Sequence, residues 1–223
     1  MVRKALFLDS RSAQFVAMLY FCGMDALQNT KLGLKLPTDP RWVNLAEMDL
    51  AEILSDHAYC EQKATTACIT LIQAYPDRTE LVEALAPVVT EEWGHFRMVI
   101  AELKKRNLEL GRQRKDMYVN ALLAFQHKGG TRDEVLLERL LTCALIEARS
   151  AERFRLLSLH CSDHALRGWY HKFMVSEAGH YRMFLDLAEL YFGKEPVWKR
   201  WQEFLQHEAE IMLQLDVRGD RMH

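Results

Sequence analysis

Two phrases in this 223-residue chain repeat one chemical pattern: Glu92-x-Gly94-His95-Phe96-Arg97-Met98 and Glu177-x-Gly179-His180-Tyr181-Arg182-Met183. Counted from Glu92 to Glu177 they lie 85 residues apart. Residues three apart on a helix share a face, so each phrase aims a carboxylate and an imidazole at one place. A nearly equal offset aligns Glu61 with Glu147, adding one glutamate from each of two further helical segments. Four carboxylates and two imidazoles make a ligand set for two divalent transition-metal ions bridged by carboxylates. Their charge nearly balances that of two such ions; without metal the acids would repel one another and take up protons. By symmetry Glu61 and Glu147 are expected as terminal ligands, Glu92 and Glu177 as bridges, and His95 and His180 as one ligand to each ion. Iron suits these donors, with manganese as the alternative. Glu91 and Glu152 compete for the same roles, but their counterparts are Ser176 and Thr66, so symmetry favours the six residues named. Gly94 and Gly179 each cost about 1 kcal/mol against alanine in a helix interior. Their recurrence predicts a need for room or close packing beside the histidines.

Four long helical segments must position these groups, and no alternating strand pattern of useful length interrupts them. The first is expected from about Leu45 to Tyr75, ended by Pro76, and the second from about Arg78 to Arg106, kinked or restarted at Pro87. The third opens at Thr131, which forms a T-x-x-E capping box with Glu134, and ends near His160. The fourth follows Ser162-Asp163 and stops at Gly193; a fifth amphipathic segment with Trp198, Trp201, Phe204 and Leu205 follows Pro196. Short links within each pair and a long one from about Asn107 to Gly130 predict an all-α fold: a ferritin-like four-helix bundle with one long crossover and a C-terminal helix. The expected divisions are an N-terminal extension over 1–34, the di-metal domain over 35–216 and a tail over 217–223.

A formal net charge of -2 excludes a wholly basic nucleic-acid binder but not a local basic patch. Such a cluster exists in Lys104, Lys105, Arg106, Arg112, Arg114 and Lys115, which reads either as a phosphate-holding surface or as a solvated helix end. The five cysteines are odd in number and lack a C-x-x-C pair, which points to a reducing, cytoplasmic setting. Cys60 and Cys68 read as small buried hydrophobes. The apolar run from Phe15 to Met24 is too short to span a bilayer, and no small-residue cleavage site follows it; Met24 is a second candidate start. His57, four before Glu61, reads as a surface or core-edge histidine, with a partner to the metal ligand as the alternative. His127, His160, His164, His171, His207 and His223 lack comparable partner spacing.

Five segments carry a family resemblance: "LPTDPRWVNLA" (36–46), "DHAYCEQKA" (56–64), "EEWGHF" (91–96), "LIEARSAERFRLL" (145–157) and "SEAGHYRMFLDLA" (176–188). Together they resemble the MiaE-type tRNA hydroxylases, from about residue 35 to at least residue 192, with "IEARSAERF" the most specific piece. The resemblance implies a non-haem di-iron monooxygenase that hydroxylates the isopentenyl group of 2-methylthio-N6-isopentenyladenosine in tRNA, with two iron ions, dioxygen as co-substrate and a separate electron-donor reductase. Its ligand pattern maps onto Glu61, Glu92, His95, Glu147, Glu177 and His180. RNA contacts are then expected near residues 104–115. The extension before residue 30 has no counterpart in the family. Two other readings use the same ligands: iron oxidation and storage in a ferritin-like cage, and an oxygenase for a lipid-like aldehyde with an apolar channel and no basic rim.

Overall fold

Seven helices and no strand make up residues 32–223, the part of the chain described by this computed structural model. The rest of the expected extension, with its apolar run from Phe15 to Met24 and Cys22, lies outside the described residues. The helices are α1 (Trp42–Met48), α2 (Leu50–Ala74), α3 (Thr79–Lys105), α4 (Met117–Phe125), α5 (Arg132–His160), α6 (His164–Phe192) and α7 (Lys194–Gln214). Two antiparallel hairpins, α2–α3 and α5–α6, form the four-helix bundle, and they meet along α3 and α6. Residues 106–131 cross between the hairpins and contain α4, while α7 packs against α4, α5 and α6. None of the described helices is long and apolar enough to cross a membrane.

Three boundaries differ from expectation, each for a local reason. The first helix is two, because Asp49 caps α2 by accepting the amide of Glu52 and turns the chain there. Pro87 does not restart α3, which runs through it; the ring lies on the exposed face, where water can satisfy the carbonyl it frees. The crossover holds the short α4, capped by Asp116 at Val119 N. The Thr131–Glu134 capping box at the start of α5 is present as expected.

The core beside the site packs Ile53, Leu54 and Ala58 of α2 against Val99 of α3, Phe154 of α5 and Tyr170 and Phe173 of α6. Two of the diagnostic segments meet in a polar network at its edge. Arg149, fully buried, donates to Glu208 Oε1 (2.8 Å), Thr38 Oγ1 (3.1 Å), Glu152 Oε2 (3.1 Å) and Leu36 O (2.8 Å). Arg153 lies over the Trp42 ring. The "EARSAER" stretch thereby ties α5 to the "LPTDPRW" segment and to α7.

Candidate metal centre

Each hairpin contributes one glutamate from its first helix and a Glu-x-x-His pair from its second, and the antiparallel packing brings all six side chains into the bundle interior. Two groups of donor atoms result, each lying within 4.8 Å: Glu61, Glu92, His95 and Glu177, and Glu92, Glu147, Glu177 and His180. Glu92 and Glu177 belong to both. Each divides its oxygens: Glu92 Oε2 and Glu177 Oε1 lie 3.6 and 3.8 Å from His95 Nδ1, while Glu92 Oε1 and Glu177 Oε2 lie 2.7 and 3.5 Å from His180 Nδ1. Glu61 Oε2 approaches His95 Nδ1 at 3.5 Å. One shared carboxylate pair therefore faces two separate imidazoles, with one private glutamate on each side.

A buried polar atom without a partner costs about 1–3 kcal/mol. Among the described residues, Glu92 Oε1 and Oε2, Glu177 Oε1, His95 Nδ1 and His180 Nδ1 are buried without a hydrogen bond, and all converge here. The 2.7 Å approach of His180 Nδ1 to Glu92 Oε1 lacks hydrogen-bond geometry, so both atoms aim past each other into a common space. Carboxylate and imidazole donors left open in this way fit two divalent transition ions.

The protonation of the metal-free cluster follows from its crowding. Burial lifts the Glu61 carboxyl well above the usual range, and the charges of Glu177 and Glu92 lift it further. Burial and then Glu177 do the same to Glu147. Burial also opposes ionisation of Glu92, but the adjacent imidazoles of His180 and His95 outweigh it and hold that carboxyl low. Burial works against a charged His180, yet Glu177 and Glu92 prevail and push the ring up to about 11. Protons thus stand in for the missing positive charge.

Two supporting residues were not assigned from spacing. Glu91, half-exposed, accepts from His180 Nε2 at 3.3 Å and from Ser176 Oγ at 2.5 Å, and lies 4.0 Å from His95 Nε2. It steadies one ring with Nδ1 facing inward and is not itself in the cluster; Ser176, its counterpart by repeat, is instead its partner. His57 is fully buried, correcting the surface or core-edge reading, and its Nε2 lies 2.7 Å from Glu61 Oε1. Rings of Phe154, Trp169 and Phe173 pack around it, and burial drives it toward the neutral form. The signal was the i, i+4 spacing to Glu61. Glu152 sits apart, accepting from Thr38 N at 3.1 Å. Nothing would crowd a Cβ at Gly94 or Gly179, so close packing does not account for either glycine.

A cavity of about 570 Å³ opens onto Glu61, Glu92, Glu147 and Glu177. Its walls come from α2, α5, α4 and the segment ending in Met222 and His223. Ile146, Phe154 and Phe184 line its apolar part, and Gln62, Lys63, Gln113, Gln126 and Arg139 add polar groups. Cys60, Cys68 and Cys143 also reach it, with burial pushing each thiol up and leaving it protonated. Of the expected RNA contacts, Lys105 and Arg106 pair with Glu102, Arg106 also with Asp163, and Arg114 with Glu52 and Asp220. Lys104, Arg112 and Lys115 are exposed, and Arg112 and Arg114 flank the cavity residue Gln113.

The family model described as tRNA-(MS[2]IO[6]A)-hydroxylase (MiaE) matches residues 25–223. The chain is 34% identical over 192 residues to the tRNA 2-(methylsulfanyl)-N(6)-isopentenyladenosine(37) hydroxylase of Pseudomonas putida, covering 85% of this chain and 91% of that protein. It is 25% identical over 241 residues to the protein of the same name from Salmonella typhimurium, covering 85% and 87%. A solved structure titled protein 43 with aldehyde deformylating oxygenase activity from Synechococcus superposes with a TM-score of 0.80 at 34% identity, covering 85% of this chain and 94% of that one.

Proposed function

The chain belongs to the MiaE family of tRNA hydroxylases, and on that premise we propose that it hydroxylates the isopentenyl group of 2-methylthio-N6-isopentenyladenosine in tRNA at a di-iron centre. The observation that carries the reading is the cavity whose inner end is the open carboxylate–imidazole cluster. Glu61 and His95 would hold one ion, Glu147 and His180 the other, and Glu92 and Glu177 would be shared. Two iron ions there would supply reductive activation of dioxygen, by which one oxygen atom would enter a C–H bond of the substrate and the other would leave as water, with two electrons and two protons from outside. Manganese remains the alternative occupant.

The protein's own part is placement. Ile146, Phe154 and Phe184 offer an apolar bed for a prenyl chain beside the carboxylates, while Gln62, Gln113, Gln126, Lys63 and Arg139 offer hydrogen-bonding partners for a purine. Glu91 orients His180 and His57 orients Glu61, so that their ligand atoms point inward. A modified base beside an anticodon is accessible without opening a duplex, and Arg112 and Lys115, exposed next to the cavity residue Gln113, would meet its backbone. Electrons come from a separate reductase, and the setting is the cytoplasm, where tRNA is modified.

The apolar lining and the Synechococcus likeness favour one second reading, an oxygenase for a lipid-like aldehyde. The two separate in one experiment. Iron-loaded, reduced protein is mixed with dioxygen and tRNA carrying the isopentenyl modification, the tRNA is digested, and the nucleoside is weighed by mass spectrometry. Gain of one oxygen atom on the isopentenyl group, absent with Glu92→Ala, is expected. No gain from a reducible di-iron preparation that does consume a long-chain aldehyde would favour the second reading.

A further inference from the structure

We propose that residues 216–223 form a strap that completes the substrate cavity, with Met222 and His223 positioning the base so that its prenyl chain reaches the metal centre; this rests on the reading above. The strap is built in two parts with different tasks. Its backbone is fastened to the bundle: Trp42 Nε1 and Arg153 Nη1 both donate to Arg221 O, at 3.2 and 3.1 Å. Asp56 of α2 accepts Arg221 Nη1 at 2.9 Å and Met222 N at 2.8 Å. Asp220 accepts from Arg114 at 2.7 Å, tying the strap to the crossover. At Gly219 the chain passes so close to α1 that a Cβ would collide with the Leu45 backbone, which has no freedom to yield.

The side chains that follow also reach the cavity: Met222 joins the core cluster, and both Met222 and His223 line the cavity wall. Met222 is 1% exposed and the His223 side chain 2%. The His223 ring stacks on Tyr118 with centroids 5.2 Å apart, and its Nε2 meets Ser150 Oγ at 2.8 Å. Its Nδ1 lies 3.8 Å from Cys60 Sγ and 3.9 Å from Asp116 Oδ2, which pairs with Lys63. Cys60 immediately precedes Glu61, and Ser150 lies one helical turn beyond Glu147. The imidazole therefore spans the two cavity-lining ligand helices. A planar ring with a polar edge, beside a polarisable thioether, suits a thioether-bearing purine better than an aliphatic aldehyde.

The test uses iron-loaded, resting protein and the free nucleoside 2-methylthio-N6-isopentenyladenosine, with binding measured by calorimetry, iron content by metal analysis, and KM and kcat by turnover. His223→Ala should weaken nucleoside binding about tenfold, the effect of one lost buried polar contact. It should raise KM more than it lowers kcat, with iron content held; His223→Gln, which can still meet Ser150, should recover most of the loss. Met222→Ala should weaken binding in the same direction. Gly219→Ala lies outside the cavity, yet should reproduce the loss by displacing the strap. If His223→Ala melts early, Met222→Ala and Gly219→Ala decide. Variants that retain iron and bind as tightly as wild type would overturn the strap's role while leaving the hydroxylase reading intact. Wild-type protein that binds neither the nucleoside nor the modified tRNA would overturn both.

Discussion

Two groups of buried charge lie within two turns of each other on α5, and the protein treats them in opposite ways. Around Arg149, every guanidinium nitrogen has a partner: Glu208, Thr38, Glu152 and the Leu36 carbonyl. Around Glu147 the neighbouring acids and imidazoles leave five buried atoms unpartnered, all directed at one space. The first group is paired around its cation, with Glu208 Oε2 its one unpartnered oxygen, and holds segments together. The second stays open, and protons on Glu61, Glu147 and His180 fill in for charge that belongs elsewhere. Burial of charge alone does not mark a functional site, nor does one unpartnered atom; the convergence of five on one space does.

The comparison breaks most forcefully at Arg149. Arg149→Met strands Glu208 and Glu152 without their cation and should cost about 3–5 kcal/mol of stability, the usual penalty for breaking a buried ion pair from one side. Denaturant unfolding of the loaded protein measures it, and iron bound per folded chain should not change. A smaller effect should follow His57→Phe, whose ring fits the aromatic surroundings but removes the partner of Glu61. Iron affinity should fall roughly 10- to 100-fold, as for loss of other groups that orient a metal ligand, with the metal-free protein losing no more than about 1–3 kcal/mol; unaltered affinity would reduce His57 to core packing.

The protons give a third prediction with a definite sign. His180 is raised from 6.5 to about 11 in the folded, metal-free protein. Its contribution to stability is therefore complete below pH 6.5 and is lost as pH rises toward 11. Glu61 and Glu147, also raised, lose their contributions in the same direction as they are forced to ionise. Metal-free protein should lose stability on going from pH 6.5 to alkaline pH, and metal-loaded protein should not, because the ions replace the protons. Parallel pH profiles for the two forms would contradict this. The weakest effect is expected at the rim, where Lys115→Ala should flatten the salt dependence of tRNA binding by roughly one phosphate contact and leave iron content untouched.

How much of this was legible in the sequence depended on whether a feature was periodic or local. The repeated Glu-x-x-His phrases, the glutamates of α2 and α5 and the Thr131 cap are regular enough to place the bundle and to name six residues that the fold gathers. Asp49 and Asp116 were readable as caps, at D-L-A-E and D-M-Y-V, but a short helix beside a long one and a short helix inside a crossover give weak periodicity. Pro87 does not end α3, because the cost of a proline depends on which face of the helix it occupies. His57 carried an i, i+4 signal that a surface histidine would also give, and only its burial distinguishes the two. His223 lies 73 residues from Ser150, and no spacing rule connects them.

The central claim is that Glu61, Glu92, His95, Glu147, Glu177 and His180 together hold two ions. The direct measurement is iron bound per chain after anaerobic reconstitution, for wild type beside Glu147→Ala and Glu152→Ala. Two ions are expected in wild type and in Glu152→Ala, and at most one, with loss of activity, in Glu147→Ala. Equal iron in the two variants would contradict the assignment of Glu147 and, with it, the division between the open cluster and the Arg149 network.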